Sequence, residues 1–236
     1  SITDSTGITL HGLEFNGPPA GGSGIGVELY DSSALIDSIF VEGYEFGVYA
    51  SGANTLAVLT PVISENAGNG IWITGPSLVN CIGCYSVNNG EAGLRVSDAA
   101  TFNDFLSAYH DNGGDGVAVH HGGRYRGDFI DIYNNGLGEG EFGVGLRNVG
   151  GRSVTSFSRI YNNGRAALSV TETGRHNSLQ ILPDEQDFYL AYEPGHAFPW
   201  PEGNFNRLAI EVDHSSTAVL NKAGIEGDSK VAHNSS

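Results

Sequence analysis

One pattern narrows what this chain can fold into. A glycine followed by apolar-x-apolar recurs as Gly26-Val27-Glu28-Leu29, Gly47-Val48-Tyr49-Ala50, Gly70-Ile71-Trp72-Ile73, Gly93-Leu94-Arg95-Val96, Gly116-Val117-Ala118-Val119 and Gly143-Val144-Gly145-Leu146. Ala167-Leu168-Ser169-Val170 and Asp187-Phe188-Tyr189-Leu190 continue it without the glycine. The intervals run from 20 to 27 residues, and three of them are 23. A second marker keeps phase with the first: Asn16-Gly17, Asn66, Asn89-Gly90, Asn112-Gly113, Asn135-Gly136 and Asn163-Gly164. A period near 23 is too short for a pair of helices and too long for a heptad. Apolar-x-apolar is strand alternation, one face in and one face out. Each repeat therefore reads as one coil of an all-β solenoid, with coils stacked at the strand spacing of about 4.8 Å. Val27, Val48, Ile71, Leu94, Val117, Val144, Leu168 and Phe188 form one expected inward ladder. Leu29, Ala50, Ile73, Val96, Val119, Leu146, Val170 and Leu190 form the other. The Asn-Gly steps supply left-handed backbone at a corner, and the Asn amides can stack from coil to coil.

This phasing resembles the right-handed parallel β-helix of the pectin-lyase-like superfamily, over roughly residues 5–190. The resemblance implies a single-stranded right-handed parallel β-helix of about 7–9 coils. It also implies a polysaccharide-processing or viral-tailspike type of protein, the latter usually trimeric. It is a resemblance of repeat alone. The Asp-Pro-His motif of alginate epimerases and the paired aspartates of polygalacturonases are missing, so no catalytic residue is carried across. A leucine-rich solenoid is disfavoured, because its Leu consensus is absent. The expected organisation is a β-helix over 1–190 and an irregular aromatic, Pro-rich segment with a polar tail over 191–236, packing on or capping the helix. No capping helix precedes Ser1, so a partner or a preceding segment is expected to cover the first coil.

The net charge is −16, from 27 acids and 11 bases, and only Lys222 and Lys230 are lysines. Such a surface disfavours nucleic acid and anionic membranes, whose binding rests on Lys and Arg. It suits a protein in concentrated salt, where screening removes self-repulsion, or else an acidic extracellular protein. No apolar run reaches the roughly 18 residues of a membrane helix, and no signal-peptide pattern is visible, so the chain reads as soluble. Cys81 and Cys84 supply only two of the four ligands of a structural zinc. In extended chain they would lie roughly 10 Å apart, beyond disulfide reach, so they are expected as small buried or half-buried residues.

Function is expected on the outward columns. Between the two ladders the order is Glu28, Tyr49, Trp72, Arg95, Ala118, Gly145, Ser169, Tyr189. Two positions further it is Ser51, Thr74, Ser97, His120, Arg147. Aromatic rings stack on the apolar faces of sugars, and a guanidinium pairs with a carboxylate or sulfate. Tyr49, Trp72, Arg95, His120 and Arg147 are thus the candidate glycan-binding residues, with a subunit interface as the alternative. Corner insertions at Pro18–Ile25 and Leu137–Phe142 would frame a shallow cleft beside them. The densest titratable cluster, around coils five and six, makes Asp104, Asp128, Asp131 and His120 the candidate catalytic groups of a lyase, epimerase or hydrolase. Asp104 and Asp128 are nearly one coil apart and are expected to approach. Calcium is the candidate cation, by the composition of Asp111-Asn112-Gly113-Gly114-Asp115-Gly116, which reads more simply as a corner. Asn234-Ser235-Ser236 fits an N-glycosylation acceptor. The leading expectation is a virion spike or cell-surface appendage that recognises a surface glycan, extracellular and trimeric. A secreted polysaccharide enzyme comes second, and a purely structural solenoid third.

Overall fold

In the computed structural model the chain is a parallel β-solenoid. The structure describes residues 1–18, 23–53, 55–138, 143–172, 174–181, 208–212, 217–220 and 232–233. About seven turns separate Ile2 from Val170. Left-handed residues bend each turn at three corners, as at Asn88, Asp98 and Leu106, then Asp111, His121 and Phe129. Each turn therefore has three faces. The first is a ten-stranded parallel sheet that includes Ile25–Tyr30, Phe46–Ser51, Ile71–Ile73, Leu94–Val96, Val117–His120, Val144–Val149 and Ala166–Thr171. The second and third run together as one thirteen-stranded sheet. They join because the ten-residue strands Ser33–Glu42, Leu56–Glu65 and Arg152–Tyr161 pass round the corner between them. Among the described residues no helix is long and apolar enough to cross a membrane.

The two phased markers have one steric cause. Buried Asn66, Asn89, Asn112, Asn135 and Asn163 form a ladder inside one corner. The Nδ2 of Asn89 donates to Asn112 Oδ1 at 2.8 Å, Asn112 to Asn135 at 2.8 Å, and Asn135 to Asn163 at 2.9 Å. Each acceptor oxygen also takes the backbone N–H of the residue one turn earlier, so buried polar groups are satisfied. The repeated glycines face this ladder. A Cβ on Gly93 would lie 2.8 Å from the Asn112 amide, one on Gly116 2.8 Å from Asn135, and one on Gly145 2.7 Å from Asn163. Exposed Asn16 stays outside the ladder. The left-handed residues are not the ladder asparagines but those just before them: Asn88, Asp111, Asn134 and Asn162.

That contact corrects the register of the sixth turn. Gly145, not Gly143, takes the place of Gly116. Val117 then pairs with Leu146, Ala118 with Arg147 and Val119 with Asn148. Val144 and Leu146 thus do not hold the ladder places expected of them. The inward place after Val119 goes to Asn148, which is fully buried and satisfied. Its amide donates to Ser153 Oγ and to the Arg175 carbonyl, and its oxygen accepts from Gly151 N–H. A second correction follows Val170. The strand beside Ala166–Thr171 is Leu208–Val212, with Leu168 opposite Ile210 and Val170 opposite Val212. These are the places the repeat assigned to Phe188 and Leu190. Residues 187–190, the aromatic Pro-rich stretch, half of the first corner insertion, most of the second and the 234–236 triplet lie outside the described residues.

A third correction concerns the cysteines. Cys81 and Cys84 are bonded, with Cα atoms 6.1 Å apart, and both are buried. The extended-chain distance did not apply, because left-handed Gly83 lies between them and turns the chain at a corner.

Candidate functional site

The corrected register assembles the first face differently from the sequence pattern. The outward column reads Glu28, Tyr49, Trp72, Arg95, Ala118, Arg147, Ser169. Arg147 therefore joins Trp72 and Arg95 in one column, where Gly145 had been expected. Small Ala118 separates the two guanidinium-bearing residues and leaves an open depression of about 380 Å³, lined by Arg95, Ala118, Arg147, His120, Asp115 and Glu91 among others.

Each wall has its own support. Asp115 holds Arg147 by two bonds, from Nε at 2.6 Å and from the terminal nitrogen at 3.0 Å, and accepts the Val144 N–H at 2.8 Å. This bidentate fork fixes the plane of the guanidinium. Arg95 lies over the Trp72 ring, 4.9 Å from its centroid. Its Nε is buried with no acceptor among the described residues. Glu91 accepts from the Asn69 amide at 2.6 Å. Burial holds the His120 ring below its ordinary pKa, and the nearby Arg95 charge adds to that effect. His120 is therefore neutral at neutral pH, able to accept a proton or a hydrogen bond.

Tyr49 and Trp72 are neighbours, as the spacing indicated, but they do not form an open pair of flat platforms. Tyr49 and Phe46 both meet Trp72 edge to face, at 5.3 and 5.0 Å between centroids. The Trp72 indole N–H donates to Ser97 Oγ at 3.2 Å. Phe46, Glu91 and Asn69 were missed by the sequence reading, which placed Asp115 in the titratable cluster and the Asp111–Gly116 run but not beside Arg147. The Gly-apolar-x-apolar frame could have located Phe46, which immediately precedes Gly47. Nothing local marks Glu91 and Asn69, which enter from corners of adjacent turns.

The four candidate catalytic groups do not share one site: Asp104 and Asp128 border one depression, and His120 borders another. Asp104 is interior. Its carboxylate accepts from Tyr109 at 2.7 Å, from Tyr125 at 3.1 Å and from Ser107. Burial raises its pKa to about 6. Asp104 pairs in register with Gly127 and Asp128 with Phe105, so the two aspartates stand one place out of register on adjacent strands, and both border one depression of about 330 Å³ together with Arg126. Asp128 lies on the outward side of the second face, 3.1 Å from Arg126 Nε. Asp131 is on the third face, buried against Arg159 at 2.5 Å. Only His120 borders the first-face depression. The Asp111–Gly116 run is a corner, occupied by the Asn112 ladder and the Asp115–Arg147 pair. Among the described residues no group of three His, Cys, Asp or Glu side chains is placed to hold a metal ion.

A family profile described as the right-handed beta helix region matches residues 1–135. The chain belongs to that family. The match spans the β-helix turns that carry Tyr49, Trp72, Arg95 and His120, and the β-helix register then continues through Arg147 and Ser169. Neither a curated protein nor a solved structure matches the chain.

Proposed function

We propose that this β-helix recognises an acidic surface glycan on its first face. The observation that carries the reading is the gap at Ala118, walled by Arg95 and Arg147. A uronate carboxylate or a sugar sulfate seated in the gap would pair with the guanidiniums on either side. Charge-assisted bonds to a preorganised guanidinium are the strong and directional ones. The edges of Tyr49 and Phe46 and the rim of Trp72 extend the site along the column for neighbouring sugar rings. The setting we propose is extracellular, as a virion spike or cell-surface appendage assembled as a trimer. The Cys81–Cys84 bond supports an oxidising compartment.

The test is a binding screen of acidic and neutral polysaccharides, with light scattering on the same sample. Acidic chains should bind, and Arg95→Gln should weaken them about tenfold, the scale of a lost charged hydrogen bond. Equal binding of neutral chains, or an indifferent Arg95→Gln variant, would sink the reading. A second reading rests on His120. A neutral imidazole beside two guanidiniums suits proton abstraction next to a uronate carboxylate, the chemistry of a lyase or epimerase. Unsaturated uronate absorbance on incubation, abolished in His120→Ala, would establish it.

A further inference from the structure

The second face carries a feature that the first-face reading does not use. Arg124, Arg152 and Arg175 stand opposite one another in three successive turns. All three are exposed. Among the described residues none of them has a carboxylate within ion-pair distance, whereas neighbouring Arg126 is held by Asp128. Like charges placed directly opposite in a sheet repel and destabilise it. In a chain of 27 acids and 11 bases, three stacked arginines without an interleaved acid stand out against the composition.

We infer that this arginine column is a second binding site, for a linear polyanionic glycan lying parallel to the solenoid axis. The column offers one guanidinium per coil, at the strand spacing of about 4.8 Å. A polymer with one carboxylate or sulfate on each ring-sized unit can meet all three in succession. The same column continues towards the N-terminus through Thr101 to Leu78 and Leu56, which are 38% and 43% exposed. These aliphatic side chains suit the apolar faces of sugar rings further along the same chain. Nucleic acid fits less well. Its charge density is far higher, one phosphate per about 1.7 Å of duplex, against a protein of net charge −16. Single strands also favour aromatic platforms, and this column holds none.

The experiment uses the whole chain and a fluorescent oligogalacturonate, titrated over a range of salt concentrations in which circular dichroism shows the fold intact. Neutral dextran and a single-stranded oligonucleotide serve as comparison probes. The triple variant Arg124→Ser, Arg152→Ser, Arg175→Ser is measured beside Arg95→Gln, which tests the first face separately. The inference expects the triple variant to lose affinity and the slope of log affinity against log salt to shrink by roughly two to three, one per lost ionic contact. Unchanged affinity and slope in the triple variant, tighter binding of the oligonucleotide, or no binding of oligogalacturonate by the parent would each overturn it. Loss of binding only in Arg95→Gln would leave the first-face reading standing and this one refuted.

Discussion

Asp104 shows what one residue contributes inside a solenoid. It takes an interior place between Cys81 and Gly127 of the adjoining turns. Gly127 makes room for it, since a Cβ there would lie 2.5 Å from the Tyr125 hydroxyl that Asp104 accepts. Burial raises the folded-state pKa to about 6, above the ordinary carboxylate value of 3.8, so the protonated form is favoured by folding. The sign follows directly. The stabilisation is full below the unfolded value and disappears as pH rises through about 6, an effect of order 3 kcal/mol. His176 works the other way. Burial pulls it down to about 4, so its contribution is present above its ordinary value of 6.5 and disappears as pH falls through about 4. The difference between parent and Asp104→Asn isolates the first effect. In thermal denaturation the variant should gain stability relative to the parent as pH rises from 4 to 7. A constant difference would argue that the carboxyl is not desolvated.

At the scale of the element, the Asn ladder and its facing glycines behave as one device. Asn112 accepts from Asn89 and donates to Asn135 and to the Ser86 carbonyl. Asn112→Ala should leave buried donors and acceptors unpaired on both sides, at a cost of about 3 kcal/mol, read as a lower denaturant midpoint. Gly93→Ala attacks the same corner from the opposite side. Its Cβ would meet the Asn112 amide at 2.8 Å and the Gly116 carbonyl at 2.9 Å, and should cost about 1–3 kcal/mol. If Gly93→Ala were neutral, the glycine would answer to something other than this contact. The Cys81–Cys84 bridge closes a loop too short to stabilise much by chain entropy, about 2 kcal/mol. Cys84→Ser should therefore lower the melting temperature modestly. Because both cysteines are buried, alkylation after reduction should proceed only under denaturing conditions.

For the whole molecule, the decisive property is charge. All the described bases lie from Arg95 onward, so the early turns carry acids alone. Screening should matter more for such a body than for a balanced one. If the chain comes from a salt-rich setting, circular dichroism should show unfolding on dialysis to low salt. A fold indifferent to salt would instead support an ordinary acidic exoprotein. Light scattering at working salt decides the trimer we propose, since a monomeric mass would remove it.

The architecture was legible in the sequence because a solenoid repeats one local solution. Alternation marks the strand, the Asn marks a corner, and the glycine marks close approach to that Asn, all within a single period. The inward ladders from Val27 to Val119, the Asn stack from Asn66 to Asn163, and the Trp72–Arg95 contact could therefore be read without coordinates. What tertiary structure alone decided were the places where sequence distance and spatial distance part. The insertion before Val144 left two glycines two residues apart, and only contact with Asn163 selects Gly145. That choice moves Arg147 beside Ala118 and creates the depression. A left-handed Gly83 brings two cysteines within bonding distance although they sit three residues apart in an otherwise extended chain. Asp104, Asp128, Asp131 and His120 crowd together in sequence, yet one bend at each corner sends them to the interior and to three different faces.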